Sequence, residues 1–239
     1  MFRNSFQSGI ISIFSASGTN PLQLWDVHLE NDGEIRLVDD SSKLDDSTHV
    51  SVGPVIEMKS TDLSQNYIIC PPTLLDSSQV RTSLGIILPF LYFTIYLPKQ
   101  QQTMNHFSVE VTILDDKQIT RRFRCSTYQS VTSINADICT FPLRLTQRLR
   151  AVKRDQLLLH PSEHDYEKYS DSNKEEEVEP CWNRVCLPLV EYNHKAYGTK
   201  LVEIQHVQIH ATNCQIKHVY FTDKQLSEEE LPQELCLII

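Results

Sequence analysis

The chain has 239 residues, of which 40% are apolar and 22% are charged, a composition typical of a folded globular domain. Its six glycines leave little material for a glycine-rich phosphate loop, and its longest apolar run, residues 84–97, is interrupted by Pro89 and too short to span a bilayer. The apolar run near the N-terminus is also too short for a secretory signal peptide, so we expect a soluble, intracellular protein without a membrane partner.

The formal net charge of −9 is concentrated in two segments. Residues 26–62 contain ten acidic and three basic residues, and residues 146–180 contain nine acidic and six basic residues. Residues 30–50 and 160–180 are rich in polar and turn-forming residues, which predicts loops. We therefore expect acidic loops around a nearly neutral framework, which an acidic partner need not repel.

The predicted elements are mainly strands. In chain order, short strands are expected at 22–27, 67–70, 86–96, 137–140 and 185–189. Between the third and fourth of these, residues 107–113 and 119–125 alternate apolar with polar residues around a turn-like stretch, which predicts a β-hairpin.

A second pair of strands is predicted at 201–210 and 216–221, joined as a hairpin by a turn at 211–214 in which Asn213 adopts a positive φ. Helix signals are weak, at 146–154 and at 227–230, where Ser227 would cap one turn. The pattern predicts one all-β domain over residues 1–239, an antiparallel β-sandwich or jelly roll with one or two short helices.

Residue patterns for catalysis or metal binding are weak. No serine lies in a G-x-S-x-G elbow, and the seven cysteines are irregularly spaced without a C-x-x-C, so we expect reduced core thiols, no catalytic residue and no cofactor. Metal sets can be drawn from Cys181, Cys186 and His194, or from His206 and His210, but the first lacks finger spacing and the second lies about 13 Å apart on a strand. We expect neither a metal site nor a small-molecule substrate.

The most distinctive polar cluster is Arg121, Arg122 and Arg124 in the second strand of the predicted hairpin. On a strand, Arg122 and Arg124 share one face and Arg121 lies on the other. Two interpretations stay open: a solvated sheet face, or a contact for carboxylates of an acidic partner. Nucleic acid is the weaker candidate because no aromatic platforms accompany the short basic stripe. Asp115 and Asp116 are interpreted as turn residues rather than catalytic acids.

Several blocks of the sequence resemble, in collinear order, the cilia- and flagella-associated protein 20 family. They include MFRNSFQSG (1–9), LGIILPFL (84–91), VTILDDKQITRRFRCSTYQS (111–130), KAYGTKLVEIQHVQIHATNCQIKHVYFTD (195–223) and SEEELPQEL (227–235). The resemblance implies a non-enzymatic β-sandwich of the ciliary and flagellar axoneme, also found at centrioles and basal bodies. It implies a place at the inner junction, where the B-tubule of the doublet microtubule closes onto the A-tubule, with tubulin and neighbouring inner-junction proteins as partners and a role in ciliary motility.

The chain also departs from that family. Residues 146–180 look like a flexible acidic insertion and residues 26–62 match poorly, whereas typical members are basic, so the resemblance is to a divergent member. Charge complementarity to tubulin predicts contacts through basic residues of the framework, namely Arg121, Arg122, Arg124, Arg144, Lys195 and Lys217. Three alternatives remain. One is a nuclear module associated with RNA processing or transcription, and another is a carbohydrate-binding module, which would need exposed aromatic residues on a sheet face. The last is an enzyme, which would need a concave pocket with perturbed titratable groups.

Overall fold

Two β-sheets face each other in the computed structural model of the chain. The structure describes residues 1–30, 32–40, 53–72, 83–98, 105–149 and 178–236. The predicted all-β sandwich with a short helix is confirmed.

The first sheet has seven strands: β2 (Asp26–His28), β5 (Tyr67–Cys70), β7 (Phe107–Asp115), β8 (Thr120–Ser126), β9 (Ser133–Asn135), β10 (Ile138–Pro142) and β14 (Leu201–Ala211). Their order across the sheet is β2-β5-β14-β7-β8-β10-β9. Neighbours are antiparallel except β8 and β10, which run parallel. The predicted hairpin is confirmed as β7 and β8, with the turn at residues 116–119 and Gln118 at φ 60°.

The second sheet has six strands: β1 (Ile10–Ser15), β3 (Glu34–Asp39), β4 (Pro54–Lys59), β6 (Phe90–Tyr96), β13 (Asn183–Pro188) and β15 (Asn213–Thr222). Its order is β13-β6-β15-β4-β3, and β1 pairs with the C-terminal half of β15. Residues 30–50 were expected to form a loop, which is wrong for β3, because its polar residues pair with β4 at the edge of the sheet. Residues 41–50 lie outside the described part of the chain.

The hydrophobic core lies between the sheets. The apolar segment 84–97 supplies Leu84, Ile86, Leu91, Phe93 and Ile95, all of them completely buried, as predicted. Core residues of the seven-stranded sheet pack against them. All seven cysteines are free thiols, and four of them are buried: Cys70, Cys125, Cys139 and Cys214. Burial raises the pKa of Cys70 and Cys125 to about 12, so these thiols pack as small apolar groups.

The predicted C-terminal hairpin is wrong. Strands β14 and β15 are separated by Thr212 alone, yet they lie in the centres of different sheets. Thr212 exchanges hydrogen bonds with His106, which holds the chain where it crosses between the sheets. Asn213 begins β15 and is not among the described residues with positive φ.

Helix α1 (Leu189–Tyr197) was not predicted, since its sequence lacks a continuous apolar stripe. Asn193 occupies a buried position and donates to the carbonyl and hydroxyl of Thr199, both at 3.0 Å. Gly198 ends the helix in the left-handed conformation, with its N–H on the carbonyl of His194. Within the described ranges no helix is long and apolar enough to cross a membrane.

Neither of the two weak helix signals gives an α-helix in the residues that the structure describes. Ser227 and Glu230 form part of a capping pattern, because the Glu230 carboxylate accepts from the Ser227 N–H at 3.1 Å, but residues 227–230 form only a turn. In the segment 146–154, residues Gln147–Leu149 form β11, which pairs with β12 (Val178–Pro180) as a two-stranded ribbon. The predicted flexible insertion at 146–180 lies mostly outside the described residues, which resume at 178.

Candidate protein-contact surface

Arg122 and Arg124 lie on the outer face of the seven-stranded sheet, where period-two alternation predicted that they share a side. Arg124 donates to the Glu110 carboxylate through Nε at 3.0 Å and Nη2 at 2.7 Å, and Arg122 Nη1 lies 3.8 Å from the same carboxylate. The two guanidinium side chains are 40% and 43% exposed, while Glu110 is nearly covered. Two positive groups that share one carboxylate therefore keep donors available to a partner.

Arg121 lies on the opposite side of β8, also as predicted, and is 11% exposed. Its guanidinium contacts the Asp115 carboxylate at 3.0 Å and the Asp137 carboxylate at 2.6 Å, and it stacks 4.2 Å from the ring centre of Tyr197. These contacts join the end of β7, the turn before β10 and the end of α1. The Arg121 side chain therefore stabilises the fold, and little of its surface is accessible to a partner.

Asp115 confirms the interpretation of its sequence as a turn. Its carboxylate accepts from the N–H groups of Lys117 at 3.0 Å and Ile119 at 2.8 Å, besides the bond from Arg121. Burial opposes ionisation, but the hydrogen bonds outweigh it and hold the pKa of Asp115 below its ordinary value.

The other predicted contact residues are dispersed. Arg144 is exposed beyond the end of β10, and Lys195 is exposed on α1, where it pairs with Glu191. Lys217 is buried at a bulge of β15, and burial lowers the pKa of its amine. The structure thus brings Arg122 and Arg124 together, leaves Arg144 and Lys195 as separate exposed charges, and places Lys217 inside.

An N-terminal turn, residues 1–9, lies against residues 83–87 beside this face. Arg3 extends from the turn and donates to Glu203 of β14 through Nε at 2.9 Å and Nη2 at 2.6 Å. The bond to Arg3 is the main cause that lowers the pKa of Glu203, against the effect of burial. Sequence reasoning placed no functional residue in this turn, because its nine residues show no periodicity.

A polar depression of about 430 Å³ opens next to Arg3. Its lining consists of residues that hydrogen-bond: Arg3, Ser83, Thr112, Thr120, Glu203, Gln205 and His206. Thr112 is directly opposite Arg122 in the β7–β8 pair. The depression therefore continues into the outer sheet face that carries Arg122 and Arg124, which we call the arginine face. In the described ranges no three His, Cys, Asp or Glu side chains are grouped to hold a metal ion.

The aromatic groups of the same face lie at its other edge. His28, Tyr67 and His210 form a row with ring centres 4.5 and 5.1 Å apart. His210 is fixed through Nδ1 to the Leu63 carbonyl at 2.9 Å, and burial lowers its pKa. Of the two tryptophans, Trp25 is buried and Trp182 packs on Tyr96 of the six-stranded sheet, so neither provides an open platform on the arginine face.

The geometry defines the class of this protein: it is a β-sandwich in which one polar sheet face carries arginine residues. The family model described as the CFA20 domain matches residues 1–155 and 175–239, and the chain belongs to this family. Its relatives include Cilia- and flagella-associated protein 20 of Paramecium tetraurelia, 36% identical, and of Chlamydomonas reinhardtii, 35% identical. Both alignments cover 100% of this chain and 97% of the relative. The resemblance found in the sequence is thereby confirmed.

Solved structures give only a weak likeness. The family 11 carbohydrate-binding module of the cellulosomal cellulase Lic26A-Cel5E of Clostridium thermocellum has a TM-score of 0.38 at 6% identity, covering 93% of this chain and 99% of the module. A likeness of this strength carries no argument about what the chain binds.

Proposed function

We propose that this chain is a non-catalytic structural protein of cilia and flagella that binds the doublet microtubule. Full-length similarity to relatives named cilia- and flagella-associated protein 20 carries the proposal. In the finer form of the proposal, the chain braces the inner junction of the B-tubule in contact with tubulin and neighbouring junction proteins, supports motility, and is also present at centrioles and basal bodies.

The arginine face is the surface that suits an acidic microtubule wall. Arg122 and Arg124 provide planar donors that match carboxylates, and they project from a sheet whose cross-strand pairs keep them in a fixed register. A single contact of this kind can be weak, since repetition along a lattice raises the effective concentration of each further contact. The exposed Arg144 and Lys195 remain candidates for additional contacts.

Co-sedimentation with microtubules tests this proposal. The double variant Arg122→Gln/Arg124→Gln is expected to bind about tenfold more weakly than the wild type, because rim charges of this kind set complementarity and salt dependence. Arg36→Gln is a matched control: Arg36 lies on the other sheet, is 48% exposed, and is paired with Glu57 at 2.7 Å much as Arg124 is paired with Glu110. Equal binding by both variants and the wild type would contradict the role of the arginine face.

Imaging of a tagged copy in ciliated cells tests the cellular part. We expect axonemal signal that survives detergent extraction together with the doublets. A signal confined to the nucleus would contradict the proposal and favour an RNA-processing or transcription-associated module.

A further inference from the structure

The N-terminal turn is held rigidly by hydrogen bonds. The Phe2 N–H donates to the Leu84 carbonyl at 2.6 Å. The Gln7 side chain donates to the carbonyls of Phe2 and Gly85, at 2.9 and 2.8 Å, and accepts from the Ile87 N–H at 2.9 Å. This turn is therefore ordered before any partner arrives.

Two further contacts fix its ends. Arg3 forms its bidentate pair with Glu203, and Gly9 exchanges hydrogen bonds with Asp223 at 2.7 and 3.1 Å. Gly85 allows the close approach, since it has φ +66° and a Cβ there would lie 2.8 Å from the backbone nitrogen of Arg3.

Phe6 lies in this ordered turn and is 93% exposed. Met1 and Ile87 are also exposed. The Ile87 N–H donates to the side-chain oxygen of Gln7, next to Phe6 in the sequence. Aromatic side chains dominate the binding energy of many protein interfaces. The backbone of a preformed turn loses little conformational freedom on binding, which increases the net contribution of a contact made by that turn. Phe6 thus has the exposure and the support expected of an anchor.

The charges around Phe6 indicate the kind of partner. At the turn, Arg3 is balanced by Glu203, and the Asp223 carboxylate accepts from the backbone. The depression beside Arg3 continues to the arginine face, where Arg122 and Arg124 share the single carboxylate of Glu110. The excess positive charge beside the turn therefore lies on the arginine face, and a negative surface complements it.

We propose that Phe6 is the anchor of a protein-docking surface and inserts into an apolar pocket on an acidic protein surface, with Arg3, Arg122 and Arg124 contacting the carboxylates around that pocket. The inference rests on the proposed function and deepens it. Under the proposed function, the acidic surface is the microtubule wall. Phe6 then supplies the apolar contact that arginines alone do not provide.

Microtubule co-sedimentation of Phe6→Ala, Phe6→Leu and the control Leu37→Ala tests the proposal. Phe6→Ala is expected to weaken binding about tenfold or more, as truncation of an interface anchor does. Phe6→Leu should fall between Phe6→Ala and the wild type. Leu37 is an exposed apolar residue on β3 of the other sheet, so Leu37→Ala should bind as the wild type does. Circular dichroism should show the same thermal midpoint for all, because exposed substitutions change stability little.

Gly85→Ala tests the rigid support separately. It keeps Phe6 but displaces the turn through the contact with Arg3, so a folded Gly85→Ala chain should also bind more weakly. If it binds as the wild type does, rigid presentation of Phe6 is not needed and that part of the proposal is wrong.

The outcomes separate the two proposals. If the wild type binds microtubules and Phe6→Ala binds equally well, the anchor is refuted while the proposed function stands. If the wild type does not bind microtubules, the proposed function fails. Phe6-dependent dimers in sedimentation velocity, or Phe6-dependent binding to vesicles of phosphatidylserine and phosphatidylcholine in place of microtubules, would overturn the acidic protein as the occupant.

Discussion

The outer faces of the two sheets differ in what covers them. On the six-stranded sheet, Tyr92 and Tyr220 stack with ring centres 5.2 Å apart and are buried by the C-terminal segment, through Leu226, Leu231 and Leu235. On the seven-stranded sheet, Arg122 and Arg124 remain half-exposed beside a polar depression. One face is closed within the chain, whereas the other presents polar groups to the outside.

The difference shows how to separate contact residues from structural ones in this sandwich. Arg184 on the closed face has a side chain mostly buried between Glu228 and the Tyr92 ring, although it has the same chemistry as Arg122. The element that covers a face decides which role an arginine can have, and residue type alone does not.

The largest expected effect compares a stacked tyrosine on each face. Tyr220→Ala should lower the free energy of unfolding by about 3–5 kcal/mol, because a fully buried ring leaves a cavity. Tyr67→Ala, on the open face between His28 and His210, should cost only about 1 kcal/mol, close to the value of an aromatic pair. Urea unfolding measures both, and equal losses would show that the closed face is no more tightly packed than the open one.

A second comparison concerns adjacent arginines on the two sides of β8. Arg121→Ala should destabilise the fold by about 3 kcal/mol, since it leaves the buried Asp115 carboxylate without its cation. Arg122→Ala should change stability by less than about 0.5 kcal/mol, because Arg122 contacts Glu110 only loosely at the surface. A large stability loss in Arg122→Ala would contradict the assignment of that residue to partner contact.

The smallest expected effect is a pH dependence at the edge of the open face. Arg3 lowers the pKa of Glu203 below the ordinary 4.5, so ionised Glu203 stabilises the folded chain above that value and the contribution is lost as the pH falls through the folded pKa. Glu203→Gln should therefore be less stable than the wild type near neutral pH, and the difference should shrink below about pH 4. Thermal midpoints across this pH range measure it; a constant difference would mean that the Arg3–Glu203 charge pair does not stabilise the turn.

The features of the fold that could be predicted are those determined by residues close together in the sequence. The β7–β8 hairpin follows from alternation and from the Asp115 turn, both within twenty residues. The crossing at Thr212 was misread as a hairpin turn, because nothing in residues 211–214 indicates that the two strands join different sheets. Helix α1 was missed because Asn193, satisfied by Thr199, occupies a position where an apolar residue marks most helices.

The candidate protein-contact surface could likewise be predicted only where nearby residues determine it. The faces of Arg121, Arg122 and Arg124 followed from the period of a strand. The pairing of Arg124 with Glu110 was also within reach, since cross-strand neighbours follow from hairpin register. The burial of Lys217 depends on elements distant in sequence, and so does the exposure of Phe6, which no repeat or motif in the turn reveals.

The passage from β14 to β15 through Thr212 also has a mechanical consequence. The continuous backbone from Leu201 to Thr222 forms a central strand of one sheet and then of the other. Tension applied to either sheet is thus transmitted along covalent bonds into the middle of its neighbour and does not depend on side-chain packing alone. Shearing the two layers apart would require the ladders on both sides of this backbone to break together.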